Sequence, residues 1–207
     1  MSAIMDTPMP VASRSRISAN LLLWTGVVGP AVFVADWATL GALRPGYSPT
    51  GDAISRLAEL GAPTRPEMTG GFIVYGAGLI GYGLALRRRV PGPAWVFAAG
   101  TGLATLGAAA FPLGAPVSGD MHAVFAAIGY ATLAALPIAA SRWLTAGGHP
   151  GLGRLSIVTG TAVGALLLAS AVGAPVHGLT QRLGMTLADA WVVASALGLL
   201  RTAGPAT

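Results

Sequence analysis

The stretch MTGGFIVYGAGLIGYGLALRRR, from Met68 to Arg89, decides the fold. Up to Leu86 it holds no charged side chain, and three arginines then follow in a row. An apolar run of this length is what an α-helix needs to cross ~30 Å of hydrocarbon. Working outward, five more stretches have the same character: Leu21–Leu43, Pro93–Phe111, Met121–Ala140, Leu155–Ala174 and Leu183–Leu200. The expected fold is all-α: a six-helix transmembrane bundle over residues 21–201. Residues 1–20 are read as a disordered cytoplasmic N-terminus. The first apolar run is too long for a signal-peptide core and carries Asp36, so no cleaved leader is expected.

Composition agrees. The 207 residues are 54% hydrophobic and only 9% charged, with mean hydropathy +0.69, against roughly 25% charged in soluble domains. So few charges cannot cover a water-facing surface, and the chain reads as one integral membrane domain. The net charge of +5 comes from arginine, since lysine is absent. On a soluble protein it would suggest nucleic acid, but here arginine marks topology and no nucleic-acid partner is expected. Cysteine is absent, which excludes disulfides, thiolate nucleophiles and cysteine metal sites.

Arg14, Arg16, Arg87, Arg88, Arg89, Arg142, Arg154 and Arg201 share one side if the chain weaves back and forth. By the positive-inside rule that side is cytoplasmic, with both termini. The other side collects Arg44–Glu67, Pro112–His122 and Pro175–Arg182, rich in acids, histidine and arginine. A one-sided, outward-facing polar site follows.

The first outer connection is patterned. Pro45 to Thr50 is turn chemistry, and Thr50 is placed to cap a helix with Asp52 in its first turn. Gly51–Leu60 reads as a short amphipathic helix ended by Gly61 and Pro63, with Ile54, Leu57 and Ala58 as its apolar stripe. Asp52, Arg56 and Glu59 share its other face. Such a helix would lie at the membrane surface or dip among the spans like a lid. By contrast, the GxGxxG string at Gly76, Gly78 and Gly81 lacks the strand-turn-helix context of a nucleotide loop. It reads as close helix packing, as does Gly160-xxx-Gly164.

Two aspartates lie inside spans, Asp36 and Asp189, each ~10 Å below the outer surface at 1.5 Å per residue. Intramembrane carboxylates are costly and mark function by default; the plainer reading is a neutral acid bonded to backbone or hydroxyl. His122 and His177, with a carboxylate, have the makings of a two-His metal site, but a hydrogen-bonded histidine at a helix end is the preferred reading, and no metal is assigned. Arg182, beside Gln181, is expected to pair with Asp120, Asp52 or Glu59, or to hold a lipid phosphate or carboxylate. Arg87–Arg89 has a topological explanation, with anionic lipid second. Aromatics gather near the same depth: Trp37, Tyr47, Phe72, Tyr75, Phe111, Phe125 and Trp191. Buried neutral acids donate protons and aromatic faces stabilise cations. Proton-initiated isoprenoid cyclisation needs both.

The motifs Tyr47-Ser48-Pro49, Ile54-Ser55, Glu59 to Pro63, Phe111-Pro112, Ser118-Gly119, His122 and Gly178-Leu179-x-Gln181-Arg182, then Trp191, resemble a large prokaryotic membrane family. It is catalogued as a domain of unknown function and common in actinobacteria. The resemblance spans Leu21 to Leu200 and implies a six-helix fold without implying an activity. That family's last motif often reads Gly-Leu-x-Glu-Arg, where Gln181 stands here. Size and acid placement are also similar to small bacterial membrane-integral terpene cyclases. Membrane hydrolases that set three histidines around zinc fit less well, since only two histidines lie on this face.

The expected function is a membrane-integral enzyme on a lipid-like, prenylated substrate: a protonation-initiated, metal-independent terpene cyclase without cofactor. Asp52 is the expected general acid, assisted by Glu59 and Glu67. Asp36, Asp120 and Asp189 would orient the network or take the final proton. Trp37, Tyr47, Phe72, Tyr75, Phe111, His122, Phe125, His177, Gln181, Arg182 and Trp191 are the expected substrate-binding set, and membrane lipid is the surrounding partner. The alternatives are a small proton-coupled transporter or channel-like protein using Asp36 and Asp189, and a non-catalytic partner-binding membrane protein. The inner halves of the spans read as Ala, Gly, Leu and Val, which counts against a transporter's polar path.

Overall fold

A computed structural model describes residues 11–115 and 118–202, and among them every regular element is helical. Six α-helices follow in order: α1 Val11–Leu43, α2 Arg65–Arg89, α3 Ala94–Ala110, α4 Ser118–Ala146, α5 Pro150–Ala171 and α6 His177–Thr202. Five are long and apolar enough to span a bilayer. The sixth, α3, has 17 residues, the short end of the workable range. The protein is a multi-pass helical membrane protein.

Its surface supports that directly. Leu21, Trp24, Val28, Ile73, Leu103, Ile128, Val158 and Leu168 are all exposed, each above 45%. Large exposed apolar area of this kind needs lipid or a partner against it. Each helix packs on the next in sequence, and α6 packs back on α1, so the six form a closed ring. Chain direction alternates, which puts the ends of α2, α4 and α6 and the starts of α1, α3 and α5 at one arginine-bearing end. The polar connections gather at the other, the loop end.

Helix ends outrun the apolar runs that revealed them. α4 begins at Ser118 and α6 at His177, both in polar sequence, because a helix continues until caps or breakers stop it rather than until hydropathy falls. The first helix starts at Val11, so residues 11–20 are helical rather than disordered; residues 1–10 lie outside the described residues. The lid is also corrected. Instead of an α-helix over Gly51–Leu60 capped by Thr50, a five-residue 3-10 turn covers Ile54–Ala58, preceded by extended Ala53. With three residues per turn, positions i and i+3 align, so Ile54 and Leu57 point the same way, and both are buried with Ala58.

The glycines of α2 serve packing. A Cβ on Gly78 would come within 3.0 Å of Gly29 Cα on α1, and one on Gly76 within 2.8 Å of the Gly102 carbonyl on α3. Gly102→Val is therefore expected to cost about 1–3 kcal/mol by overpacking, whereas Gly70→Ala, with nothing within 4 Å of the added carbon, should be silent. Thermal unfolding in detergent reads the difference; equal melting temperatures would show that the seam tolerates side chains.

Orientation is testable in this cysteine-free chain. Single cysteines at positions 50 and 115 should react with an impermeant maleimide from outside intact cells, and those at 88 and 148 should not. The opposite labelling pattern would invert the bundle.

Candidate functional site

At the loop end the ring encloses a cavity of about 430 Å³. Its aromatic walls come from Phe33 on α1, Phe72 and Tyr75 on α2, and Phe125 and Tyr130 on α4. Polar groups are few: Thr101, Thr105, His122, Ser170, His177 and Gln181, with Ser55 from the lid. A mostly apolar pocket with a few placed polar groups is the usual form of a small-molecule site, and 300–1,000 Å³ is its usual size. Phe33 stacks on Tyr75 with centroids 4.6 Å apart, which stiffens that wall.

The lid over this cavity is tied down by α6. Gln181 accepts the Ile54 N–H at 2.8 Å and donates to the Tyr130 hydroxyl. Arg182 Nη1 donates to the carbonyls of Pro49, Asp52 and Gly178 at 2.6, 2.8 and 2.9 Å, and Nη2 donates to the Tyr47 hydroxyl. Its guanidinium also lies 5.4 Å from the ring centroids of both Trp37 and Tyr47. The expected carboxylate partners are therefore replaced by backbone oxygens and a phenol. Gly178 has to be glycine, because its α-carbon lies against the Asp52 carbonyl and a Cβ would collide with it. Burial pushes the Tyr47 phenol above its ordinary range, and the Arg182 charge pulls it back in part. A raised phenol adds stability below its unfolded pKa of about 10 that is lost as pH rises through the folded value.

Of the expected substrate-binding residues, Phe72, Tyr75, His122, Phe125, His177 and Gln181 line the cavity. Trp37, Tyr47 and Arg182 form the clamp instead, and Phe111 stacks behind Phe125 with centroids 5.6 Å apart. His122 is buried and its Nδ1 lies 2.9 Å from the Phe111 carbonyl and 3.1 Å from that of Ala108. Two carbonyl neighbours mean that Nδ1 carries the hydrogen. Trp191 lines a different cavity altogether. It stands two positions after Asp189, about 200° around a helix of 3.6 residues per turn, so the two cannot face one site.

None of the six expected catalytic acids is among the residues lining the loop-end cavity. Asp52 Oδ2 accepts the Ser48 N–H at 2.8 Å and its Oδ1 lies 3.5 Å from Arg56 Nε, which commits it to the turn. Glu59 takes Arg44 at 2.7 Å and Arg56 at 3.4 Å. Arg56 does stand between the two carboxylates, yet its side chain is 54% exposed, so Arg56→Ala should change stability by under about 1 kcal/mol; a larger drop in melting temperature would contradict that. Glu67 and Asp120 are exposed at the loop end. Among the described residues no group of three or more His, Cys, Asp or Glu gathers as metal ligands would.

Asp189 is different. It is 2% exposed, its Oδ1 accepts the Tyr75 hydroxyl at 2.8 Å, and its Oδ2 has no hydrogen-bond partner among the described residues. Tyr75 lines the cavity, so this carboxyl sits directly behind the wall. Asp36 approaches the same helix one turn away: a Cβ on Gly71 would run into its carboxylate. Both intramembrane acids thus address α2, at Gly71 and Tyr75.

A second cavity, of about 1100 Å³, occupies the arginine end. Tyr82, Arg88, Arg89, Trp143, Ser156 and Trp191 are among its lining residues. Tyr82 is two turns along α2 from Tyr75 and meets Ser195 on α6 at 2.6 Å. Leu79, Leu136, Val163 and Val192, all fully buried, fill the layer between the chambers. The hydropathy of the spans concealed this cavity because its polar groups are isolated in apolar runs. Tyr130, Phe33 and Ser170 were also missed as site residues. The one available signal was a tyrosine hydroxyl within a span, which needs a partner when buried.

The family described as "Protein of unknown function (DUF998)" matches residues 27–198. No curated protein and no solved structure matches the chain. The chain belongs to that family, whose description carries no activity.

Proposed function

With family membership as the premise for the fold alone, we propose that the protein is a small proton-coupled carrier of an apolar or amphipathic molecule across the membrane. One observation carries this: two chambers lie in opposite halves of one helix ring, with the buried Asp189 carboxyl between the α6 residues that line each. An ionised carboxylate with an unpartnered oxygen is expensive in a low-dielectric interior. Gaining or losing its proton therefore changes what the Tyr75 layer can pack against, and the substrate needs only to prefer one state. Asp36, one turn away on the loop-end side, is the other relay acid. The second chamber supports the reading by bringing Tyr82, Ser156 and Ser195 to the arginine end, so that only the apolar layer between the chambers has to open.

The aromatic walls favour a second reading, the metal-independent cyclase. Phe33, Phe72, Tyr75, Phe125 and Tyr130 would stabilise a carbocation by ~0.5–2 kcal/mol per face. The proton would come from Asp189 through Tyr75 rather than from Asp52, and would be lost again after ring closure.

One experiment separates them. Proteoliposomes carrying a pH-sensitive dye are given farnesol or a farnesylated indole. Substrate-dependent proton uptake without chemical change supports the carrier. A cyclic isomer bearing one deuterium from deuterated water, formed with EDTA present, supports the cyclase instead. The absence of both flux and product with these probes would sink both readings for isoprenoid substrates.

A further inference from the structure

The arginine-end cavity has a chemistry that neither reading uses. Arg88, Arg89 and His149 supply cationic or protonatable groups to its lining, and no carboxylate is among the described lining residues. Its remaining wall is largely apolar, built on Trp143, Leu144, Leu152, Leu155, Trp191 and Leu199. The hydroxyls in that wall are already engaged: Ser156 accepts the Trp191 indole N–H at 2.9 Å, and Ser195 meets Tyr82.

Arg89 is held in place rather than left to swing into water. Its Nη2 donates to Asn20 Oδ1 on α1 at 2.6 Å and its Nη1 to the Leu199 carbonyl on α6 at 3.4 Å. Those two bonds use two of the five donors of a guanidinium. Arginines at the end of α2 suit the helix dipole and the topology by themselves. That accounts for the charge, but not for a guanidinium anchored at the edge of a large chamber with two tryptophans in its wall.

We infer that this chamber is a binding site for an anionic single-chain amphiphile, with its acidic head at Arg89 and its chain against Trp143 and Trp191. Among the described residues positive charge is confined to one end and apolar wall makes up most of the rest, the complement of such a molecule. A free inorganic anion would leave that wall without a partner, and a neutral lipid would bring no counter-charge to the Arg89 guanidinium. This site does not depend on the carrier reading, because binding is measured at equilibrium without flux or turnover.

The test uses the full chain in detergent at pH 8 with 9,10-dibromostearate, whose bromines quench tryptophan. Saturable quenching is expected, at least tenfold tighter than with the matching dibromostearyl alcohol, and millimolar inorganic phosphate should not compete. Gly198 lines the chamber, and a Cβ there meets nothing within 4 Å. Gly198→Phe should therefore fill the space and abolish the saturable component, while Gly198→Ala preserves it. Arg89→Gln should weaken binding at least tenfold, with partial recovery in Arg89→Lys. If Arg89→Gln does not fold, the Gly198 pair still decides. Quenching that never saturates, or is equal for acid and alcohol, or survives Gly198→Phe, would overturn the site. Effective competition by phosphate alone would overturn the amphiphile.

Discussion

Asp189→Asn is expected to reduce proton-coupled flux, or product formation if the cyclase reading holds, by at least about 10²-fold, the usual cost of losing a group that gives or takes a proton. The bundle should survive the change. Asparagine keeps the shape and still accepts the Tyr75 hydroxyl, so the stability change should stay within ~1–2 kcal/mol. Tyr75→Phe makes the converse test. It strips Asp189 of the hydrogen bond now 2.8 Å long and leaves both carboxylate oxygens without a described partner, at about 1–3 kcal/mol. The double variant should cost less than the sum, since Tyr75→Phe has already removed the hydroxyl whose bond Asp189→Asn would weaken. If Asp189→Asn keeps flux within tenfold while Asp36→Asn abolishes it, the switch belongs to Asp36. Loss in neither would remove protonation from the mechanism.

This pair also marks the limit of what the chain reveals unaided. The spans were legible because hydrocarbon demands long apolar runs and arginine avoids crossing it, so α2 could be read from Met68 to Arg89 almost end to end. Asp189 was legible as costly, and hence as notable. Its partner was not, because Tyr75 lies 114 residues away and nothing local couples them. The outer site was partly legible for a similar reason. Phe72, Tyr75, Phe125, His122, His177 and Gln181 all sit near the loop ends of their helices, where one cavity can reach them all. Depth alone cannot tell which side of a helix faces inward. Trp191, at nearly the depth of Asp189, was therefore expected in the loop-end site and lines the other chamber. Asp52 looked available as an acid near a polar face, and its contacts to the Ser48 N–H and Arg56 could not be seen from its position alone.

Arg182 hid its role because backbone carbonyls leave no mark in sequence, and the second large effect is expected there. Arg182→Ala removes a buried cation that satisfies the carbonyls of Pro49, Asp52 and Gly178 and fills the space between Trp37 and Tyr47. Hydrogen bonds to charged groups contribute about 1.5–3 kcal/mol each in favourable cases and do not add in full, so a loss of roughly 3 kcal/mol is expected. The loss should be local before it is global, because what the clamp holds is the lid. Leu57, on the inner face of that lid, is fully buried, and a Leu57→Cys reporter should resist a water-soluble maleimide in the parent chain but react at least tenfold faster beside Arg182→Ala. Arg182→Lys should fall close to Arg182→Ala, since an ammonium has three donors, a shorter reach and no planar face to lie between two rings. Gln181→Ala should be milder, near ~1 kcal/mol, as it frees one lid N–H. Every acceptor of the clamp is a carbonyl or a phenol, so moderate acidification should leave it intact. Protection of the reporter thiol that persists in Arg182→Ala, with an unchanged melting temperature, would mean that the lid is held by its own buried stripe of Ile54, Leu57 and Ala58 and that Arg182 is a passenger on it.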